Sequence, residues 1–326
     1  MRPHRLGSTS LSVTPLGLGL AAAGRPAYIT LGRDEDIGQE RGARMLEQRA
    51  HALLDIAFEI GIRYFDVARS YGLAEEFLAS WLNGRSLVTD AVTVGSKWGY
   101  TYTGKWRLDA DVHEVKDHSL SALRRQIQES RSVLGDRLHL YQIHSATLDT
   151  HVLDDRKVLS ELAKLRSQGL AIGLTTSGPE QAATIHRALA VDVDGNNPFQ
   201  VVQATWNLLE TSAAAALAEA HDAGWGVIVK EALANGRLTS RAANEETTLH
   251  DVARNRGVSL DQLALAAAIA NPWADVVLSG ALTPEQLKSN ARALELGLSS
   301  AEVGGLSAGA EPPEDYWRAR SDLPWS

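Results

Sequence analysis

Hydrophobic positions along the chain follow two periods. Short runs that are apolar at consecutive positions, or nearly so, recur at 15–20 (PLGLGL), 63–68 (RYFDVA), 92–98 (VTVGSKW), 139–145 (HLYQIHS), 171–177 (AIGLTTS), 201–207 (VVQATWN), 225–232 (WGVIVKEA) and 275–280 (DVVLSG). Such runs predict strands buried on both faces of a parallel sheet. Between them the apolar positions spread to helical spacing, as at Leu46, Ala50, Leu53, Leu54 and Ala57 within 45–60. The same pattern predicts helices over 74–83, 117–133, 156–168, 179–190, 212–223, 260–270 and 284–296.

The ends of these segments carry their own signals. Ser177-Gly178-Pro179-Glu180 and Thr283-Pro284-Glu285-Gln286 fit a capping box with proline in the first turn. Gly61, Gly135, Gly169 and Gly224 fall where helices should stop. Eight strand-helix units with right-handed crossovers predict a closed (β/α)8 barrel, a TIM barrel, with a doubly wound open sheet as the alternative. The short helix-to-strand joints at 61–62 and 169–170 contrast with long strand-to-helix loops at 21–44, 99–116 and 233–246. Those long loops gather at the C-terminal ends of the strands, where barrels place their chemistry. No linker divides the chain, so residues 1–326 are expected to form one domain, with an N-terminal β-hairpin and a C-terminal tail. The tail, 303–326, holds Trp317 and Trp325 and is expected to fold over the barrel mouth.

Composition narrows the function. Apolar residues make up 44% of 326, enough for a sizeable core, and a net charge of −8 disfavours a general nucleic-acid binder. With no cysteine, disulfides, thiolate catalysis and cysteine-ligated metals are ruled out. The first residues lack the long apolar core of a secretory signal, and no run of about 18 apolar residues suggests a membrane span. A soluble cytoplasmic protein is the expectation.

Polar residues then mark three successive strand ends: Asp66, Lys97 and His144. Strands about 4.8 Å apart let such groups converge, together with Tyr71 on the turn beyond Asp66. An ammonium beside a phenol favours the phenolate, a carboxylate holds the ammonium, and an imidazole can hydrogen-bond an incoming oxygen. Together they describe an acid facing a carbonyl oxygen that gains negative charge. Lys97 as a Schiff-base lysine of a lyase or isomerase is a competing possibility. HEVKDH (113–118) only approaches the zinc motif His-Glu-x-x-His, because its histidines are five apart. No metal site is expected. GLGLAAAG (17–24) does not satisfy Gly-x-Gly-x-x-Gly, and Gly19 is read as a strand top near cofactor or substrate.

On these segments the chain resembles the aldo-keto reductases, a barrel family that uses a nicotinamide cofactor. GIRYFDVARSYGLAEEFLASWL is similar to the family segment with an aspartate and, five residues on, tyrosine-glycine; VGSKWGY and LYQIHSA resemble its lysine and histidine segments. The resemblance runs from RLGSTSLSVTPLGLGLA to LSGALTPEQLKSNARAL. It implies that Asp66, Tyr71, Lys97 and His144 form a catalytic tetrad, with Tyr71 the proton donor to an aldehyde or ketone.

The resemblance also implies a cofactor site. Thr175 and Thr176 take the positions of the family's serine and asparagine near the nicotinamide amide, with Gln203 beside them and Trp206 and Asn207 matching Tyr-Asn. Leu233, Asn235, Gly236 and Arg237 would line the pyrophosphate, and Gly280, Thr283, Gln286 and Asn290 the adenosine. Thr283 and Gln286 are equally explained as a helix cap. NADPH is the expected cofactor, with NADH possible. Trp98 and Trp106 would wall the pocket of a small carbonyl substrate, or pack in the core. The chain departs from the family at Lys230, which replaces the aromatic stacked on the nicotinamide, at Ala232 for proline, at Leu282 for a basic residue, and at Val67. Arg237, Lys288 or Arg292 could supply the missing charge. The Lys230 and Ala232 departures also fit a nucleotide-binding regulatory subunit with little turnover.

Overall fold

The computed structural model describes residues 1–242 and 248–325. The end of the predicted 233–246 loop, from 243, lies outside the described residues. Eight parallel strands close into a barrel: β1 (Leu16–Gly19), β2 (Tyr64–Asp66), β3 (Thr93–Trp98), β4 (Leu140–Ala146), β5 (Ala171–Thr176), β6 (Val201–Thr205), β7 (Gly226–Lys230) and β8 (Val276–Ser279). Neighbours in the ring follow chain order, and β8 pairs with β1 through Val277 and Leu16. That closure excludes the open sheet. Each of the eight predicted runs matches one strand, β4 running one residue past its run to Ala146. The helices α1 (Ala43–Glu59), α2 (Ala74–Gly84), α3 (Leu120–Leu134), α4 (Arg156–Ser167), α5 (Gln181–Leu189), α6 (Ala214–Asp222), α7 (Leu260–Ile269) and α8 (Pro284–Ala291) lie between and after them.

Strand periodicity sorts the side chains into two cores. One set faces the helices, including Phe65, Val67, Val94 and Trp98, and packs with helix residues such as Trp81 in a continuous outer core. The other, Tyr64, Leu140, Ala171, Val201, Ile228 and Val276, fills the barrel's lower interior. The antiparallel hairpin of His4–Arg5 and Ser12–Val13 plugs that end with Leu6 and Val13. An inward Cβ at residue 95 would come within 2.4 Å of the Tyr64 hydroxyl, so Gly95 makes room for the largest ring of this layer.

Three local expectations change. Ser177 caps nothing: α5 starts at Gln181, whose amide turns inward, donating to the Thr205 carbonyl (2.9 Å) and accepting from its N–H (3.2 Å). Thr283 does cap α8, accepting from the Gln286 N–H (3.2 Å), but the Gln286 side chain returns to the N–H of Leu282 rather than of Thr283. The long loop at 99–116 contains a hairpin, Tyr100–Tyr102 against Glu114–Lys116. The tail folds onto the barrel. Its helix Pro313–Ser321 buries Tyr316 and Trp317, and the Tyr316 hydroxyl accepts from Asn207 Nδ2 (2.9 Å).

Candidate active site

Two residues above the apolar layer, the inward side chains become polar. Asp66 stands at the end of β2 beside Gly19 of β1 and Gly95 of β3, and Lys97 follows two residues on. Lys97 Nζ, 1% exposed, contacts Asp66 Oδ1 directly and donates to the Val67 carbonyl (3.0 Å). Asp66 Oδ2 accepts from the Tyr64 hydroxyl (3.1 Å) and from Gln203 Nε2 (2.9 Å). The carboxylate is therefore fixed on both oxygens. His144 lies where the β4–β5 register shifts, between Ile143 and Ala146, with Ser145 at φ 53°. Such an irregularity re-aims side chains at a sheet's rim. His144 Nε2 is 3.4 Å from the Tyr71 hydroxyl, and Nδ1 is 3.4 Å from Ser70 Oγ.

Tyr71 owes its place to two glycines. A Cβ on Gly72 (φ 63°) would meet the Gly24 carbonyl at 2.4 Å, and one on Gly24 would meet the Tyr71 carbonyl at 2.3 Å. The bare backbones touch, and Leu73 N–H donates to Gly24 O (2.8 Å). The turn beyond Asp66 is thereby pressed against the loop after β1.

The electrostatics differ from the expectation in one respect. Lys97 reaches the Tyr71 ring, 4.7 Å from its centroid, but makes no hydrogen bond with the hydroxyl. The phenol pKa is pushed well above its ordinary value, by burial first and then by Asp66. Burial also lowers Lys97 against the pull of Asp66, and burial and then Lys97 hold His144 well below its usual range. At neutral pH the phenol is protonated and the imidazole neutral.

These groups open on a cavity of about 530 Å³ that runs across the barrel mouth. Of the predicted residues, Gly19, Asp66, Tyr71, His144, Thr175, Gln203, Lys230, Leu233, Asn235, Gly236, Gly280, Gln286 and Asn290 line it. Thr175 Oγ1 accepts from the Ser145 N–H (2.7 Å). Asn235 Oδ1 is buried without a partner, and its Nδ2 donates to the Ile29 carbonyl (2.9 Å). Lys97 stands behind the lining.

The other predicted residues are elsewhere. Thr176 and Trp98 are fully buried with their polar atoms unpartnered, and Trp98 packs on His118. Trp206 packs edge-on to Trp273. Trp106 joins Leu46, Ala50 and Phe77 between α1 and α2, and donates to the Arg41 carbonyl (2.8 Å). The two tryptophans expected to wall the substrate pocket therefore pack away from it. Arg237 pairs with Glu311 of the tail, Thr283 serves as a cap, and neither lines the cavity, nor do Lys288 and Arg292.

Residues that the sequence did not single out complete the mouth, Arg25, Tyr28, Tyr100, Glu114, Glu231 and Arg320, and Trp325 of the tail lies over it as expected. Glu231 pairs with Arg320; burial would raise its carboxyl, but Arg320 and then Lys230 outweigh that and draw it to about 2. Lys230 donates to Thr205 Oγ1 (2.7 Å), and burial lowers it to about 8. At the far end Asp36 pairs with Arg241 and accepts from Gln286 Nε2 (2.8 Å). Among the described residues no group of three acidic, histidine or cysteine side chains is placed to hold a metal, and no helix is long and apolar enough to cross a membrane. His113 instead stacks on Trp325, ring centroids 4.2 Å apart.

Comparison with known proteins bears on this arrangement. The model of the Aldo/keto reductase family matches residues 16–309. The chain is 24% identical to L-glyceraldehyde 3-phosphate reductase of Escherichia coli O157:H7, over 83% of this chain and 86% of that protein. It is 24% identical to D-threo-aldose 1-dehydrogenase of a Pseudomonas species, over 89% and 92%. The holo form of aldo-keto reductase AKR11C1 from Bacillus halodurans superposes with a TM-score of 0.72 at 21% identity, covering 96% of this chain and 97% of that one.

Proposed function

The chain belongs to the aldo/keto reductase family, and from that premise we propose that it reduces an aldehyde or ketone to an alcohol, with NADPH as cofactor and Tyr71 as proton donor. The observation that carries the reading is the meeting of Tyr71, His144 and the Lys97–Asp66 pair at a cavity of about 530 Å³ across the barrel mouth. A nicotinamide cofactor, when bound, supplies the hydride for the carbonyl carbon. Tyr71 gives its hydroxyl proton to the carbonyl oxygen. Neutral His144, beside that hydroxyl, orients the same oxygen by hydrogen bonding. Asp66 fixes Lys97 so that its charge stays close to the ring as the phenolate forms.

The residues along the cavity suit such a cofactor. Gln203 and Thr175 stand near the reacting end, the open Gly280 and the orphaned Asn235 oxygen lie farther along, and Arg241 offers a cation to a 2′-phosphate. Asp36 neutralises Arg241, and Asp261 lines the same end, which favours NADH as the second reading. The charged mouth favours a polar, hydroxylated carbonyl compound over a plain hydrocarbon aldehyde; two of the relatives named above act on sugars or sugar phosphates.

Titration of tryptophan fluorescence with NADPH and with NADH, followed by an aldehyde and ketone panel that includes aldoses, tests the proposal. The expected result is saturable binding, turnover, and loss of turnover by about 10²–10⁴-fold in Tyr71→Phe. Tight binding with no reduction of any panel member would mean a binding subunit instead, and full turnover by Tyr71→Phe removes the assigned acid.

A further inference from the structure

Accepting Tyr71 as the proton donor, we propose that Arg25 is a positioning residue for it, a second cation on the phenol whose ion pair with Glu114 sets how readily the proton leaves. Arg25 is buried to 2% exposure at the cavity wall, with its Cζ 5.4 Å from the centroid of the Tyr71 ring. It donates to the carbonyl of Ser70 (3.1 Å), the residue before Tyr71, and to Glu114 (2.7 Å), while its Nε–H has no partner.

The placement is built. The Gly24–Gly72 backbone contact brings residue 25 to the phenol. The fully buried Arg33 donates to the carbonyls of Ala22, Arg25 and Pro26, clamping the loop that carries it. Arg25 Cζ also lies 5.0 Å from the Tyr28 centroid and 4.9 Å from that of Trp325, so aromatic faces hold the guanidinium.

The two cations near the phenol are not equivalent. Lys97 has its carboxylate partner in direct contact and equally buried, so Asp66 offsets its charge at the ring and is itself the leading anion that holds the proton on. Arg25 is buried, but its partner Glu114 sits on the hairpin at 22% side-chain exposure, where solvent screens the anion more than the cation. The Arg25–Glu114 pair thus leaves a net positive contribution at Tyr71, set against the larger opposing pull of Asp66. The groups facing the phenol from each element are Asp66 and Tyr64 of β2, Lys97 of β3, His144 of β4, Glu231 after β7, Glu114 of the hairpin, and Arg25 and Tyr28 of the first loop. Burial, Asp66, Glu114 and Glu231 all hold the proton on, and Arg25 is the leading group that opposes them.

Sequence alone could not show this, because Glu114 lies 89 positions from Arg25 inside a segment otherwise notable only as a failed zinc motif. The test is the pH dependence of kcat/KM for alcohol oxidation and carbonyl reduction in wild type, Arg25→Met, Arg25→Lys and Glu114→Gln. Arg25→Met is expected to move the apparent pKa of the donor up by about one unit or more, since a lost cation disfavours phenolate. Arg25→Lys restores most of it, and Glu114→Gln, in a partly exposed hairpin, shifts it down by less. A uniform fall in kcat/KM with an unmoved profile in all three would assign Arg25 to packing and overturn the proposal. Tyrosine ζ-13C NMR, with Tyr71 assigned by its loss in Tyr71→Phe, reads the same phenol without turnover, so a chain that reduced no carbonyl would fail the reductase reading alone. A Tyr71 signal titrating alike in wild type and Arg25→Met would defeat the Arg25 proposal.

Discussion

The lower and upper halves of the barrel interior use the same strands for opposite ends. Below, Tyr64, Leu140, Ala171, Val201, Ile228 and Val276 form an apolar plug closed by the N-terminal hairpin. One pleat higher on those strands stand Asp66, Gln142, Gly173, Gln203 and Lys230, with Lys97 and Thr175 alongside. The plug gains from burial. The upper layer gives some of that up, since two charges taken out of water recover their desolvation cost only through close pairing. Stability and the proposed chemistry are thus separated along each strand by about one side-chain repeat.

That separation can be broken in graded ways. Lys97→Met should have the largest effect, because it strands the Asp66 carboxylate in the interior: about 3–5 kcal/mol of stability, together with most of the turnover, read by denaturant unfolding and initial rates. Leu140→Ala, in the plug, should cost about 2–5 kcal/mol for the cavity it leaves, yet keep wild-type kcat and KM per folded molecule. Equal catalytic damage from both would show that the halves are coupled. The smallest effect concerns Lys230. Its folded pKa of about 8 lies below its ordinary value, so between about 8 and 10.5 the unfolded chain binds more protons and stability rises with pH. Lys230→Met should flatten that rise in urea titrations at pH 7.5, 9 and 10.5, and a rise that persists would assign it to another group.

Much of this was legible beforehand. Strands buried on both faces announced themselves as apolar runs, and Asp66, Lys97 and His144 stood out because each ended such a run with a charge or an imidazole. Three of the misplaced residues, Trp98, Thr176 and Trp206, share one cause. In β3 the inward side is taken by Gly95 and Lys97, so Trp98 must face the helices; in β5 Thr175 points in and Thr176 out; in β6 Gln203 and Thr205 point in, and Trp206, the next residue, packs on Trp273. Period-two parity, applied strictly, would have placed all three. Arg25 and Glu114 had no such signal, and for Trp325 only the tail's return to the mouth was legible, not its partners. The three meet through a loop, a hairpin and a tail that are distant in sequence, and only packing brings them together. Lys230 was visible as a departure from the family pattern, but its partners Thr205, Glu231 and Arg320 were not.

The pairing of β8 with β1 has a consequence for how the protein is made. During synthesis the first strand leaves the ribosome with one neighbour, β2, soon available, while the strand that covers its other edge is the last to emerge. Until then the unpaired N–H and C=O groups of that edge stay exposed on the nascent chain, a state that slows maturation and invites aggregation. Gly19 and Asp66, adjacent across β1 and β2, therefore wait for the final strand before the pocket rim around them is complete.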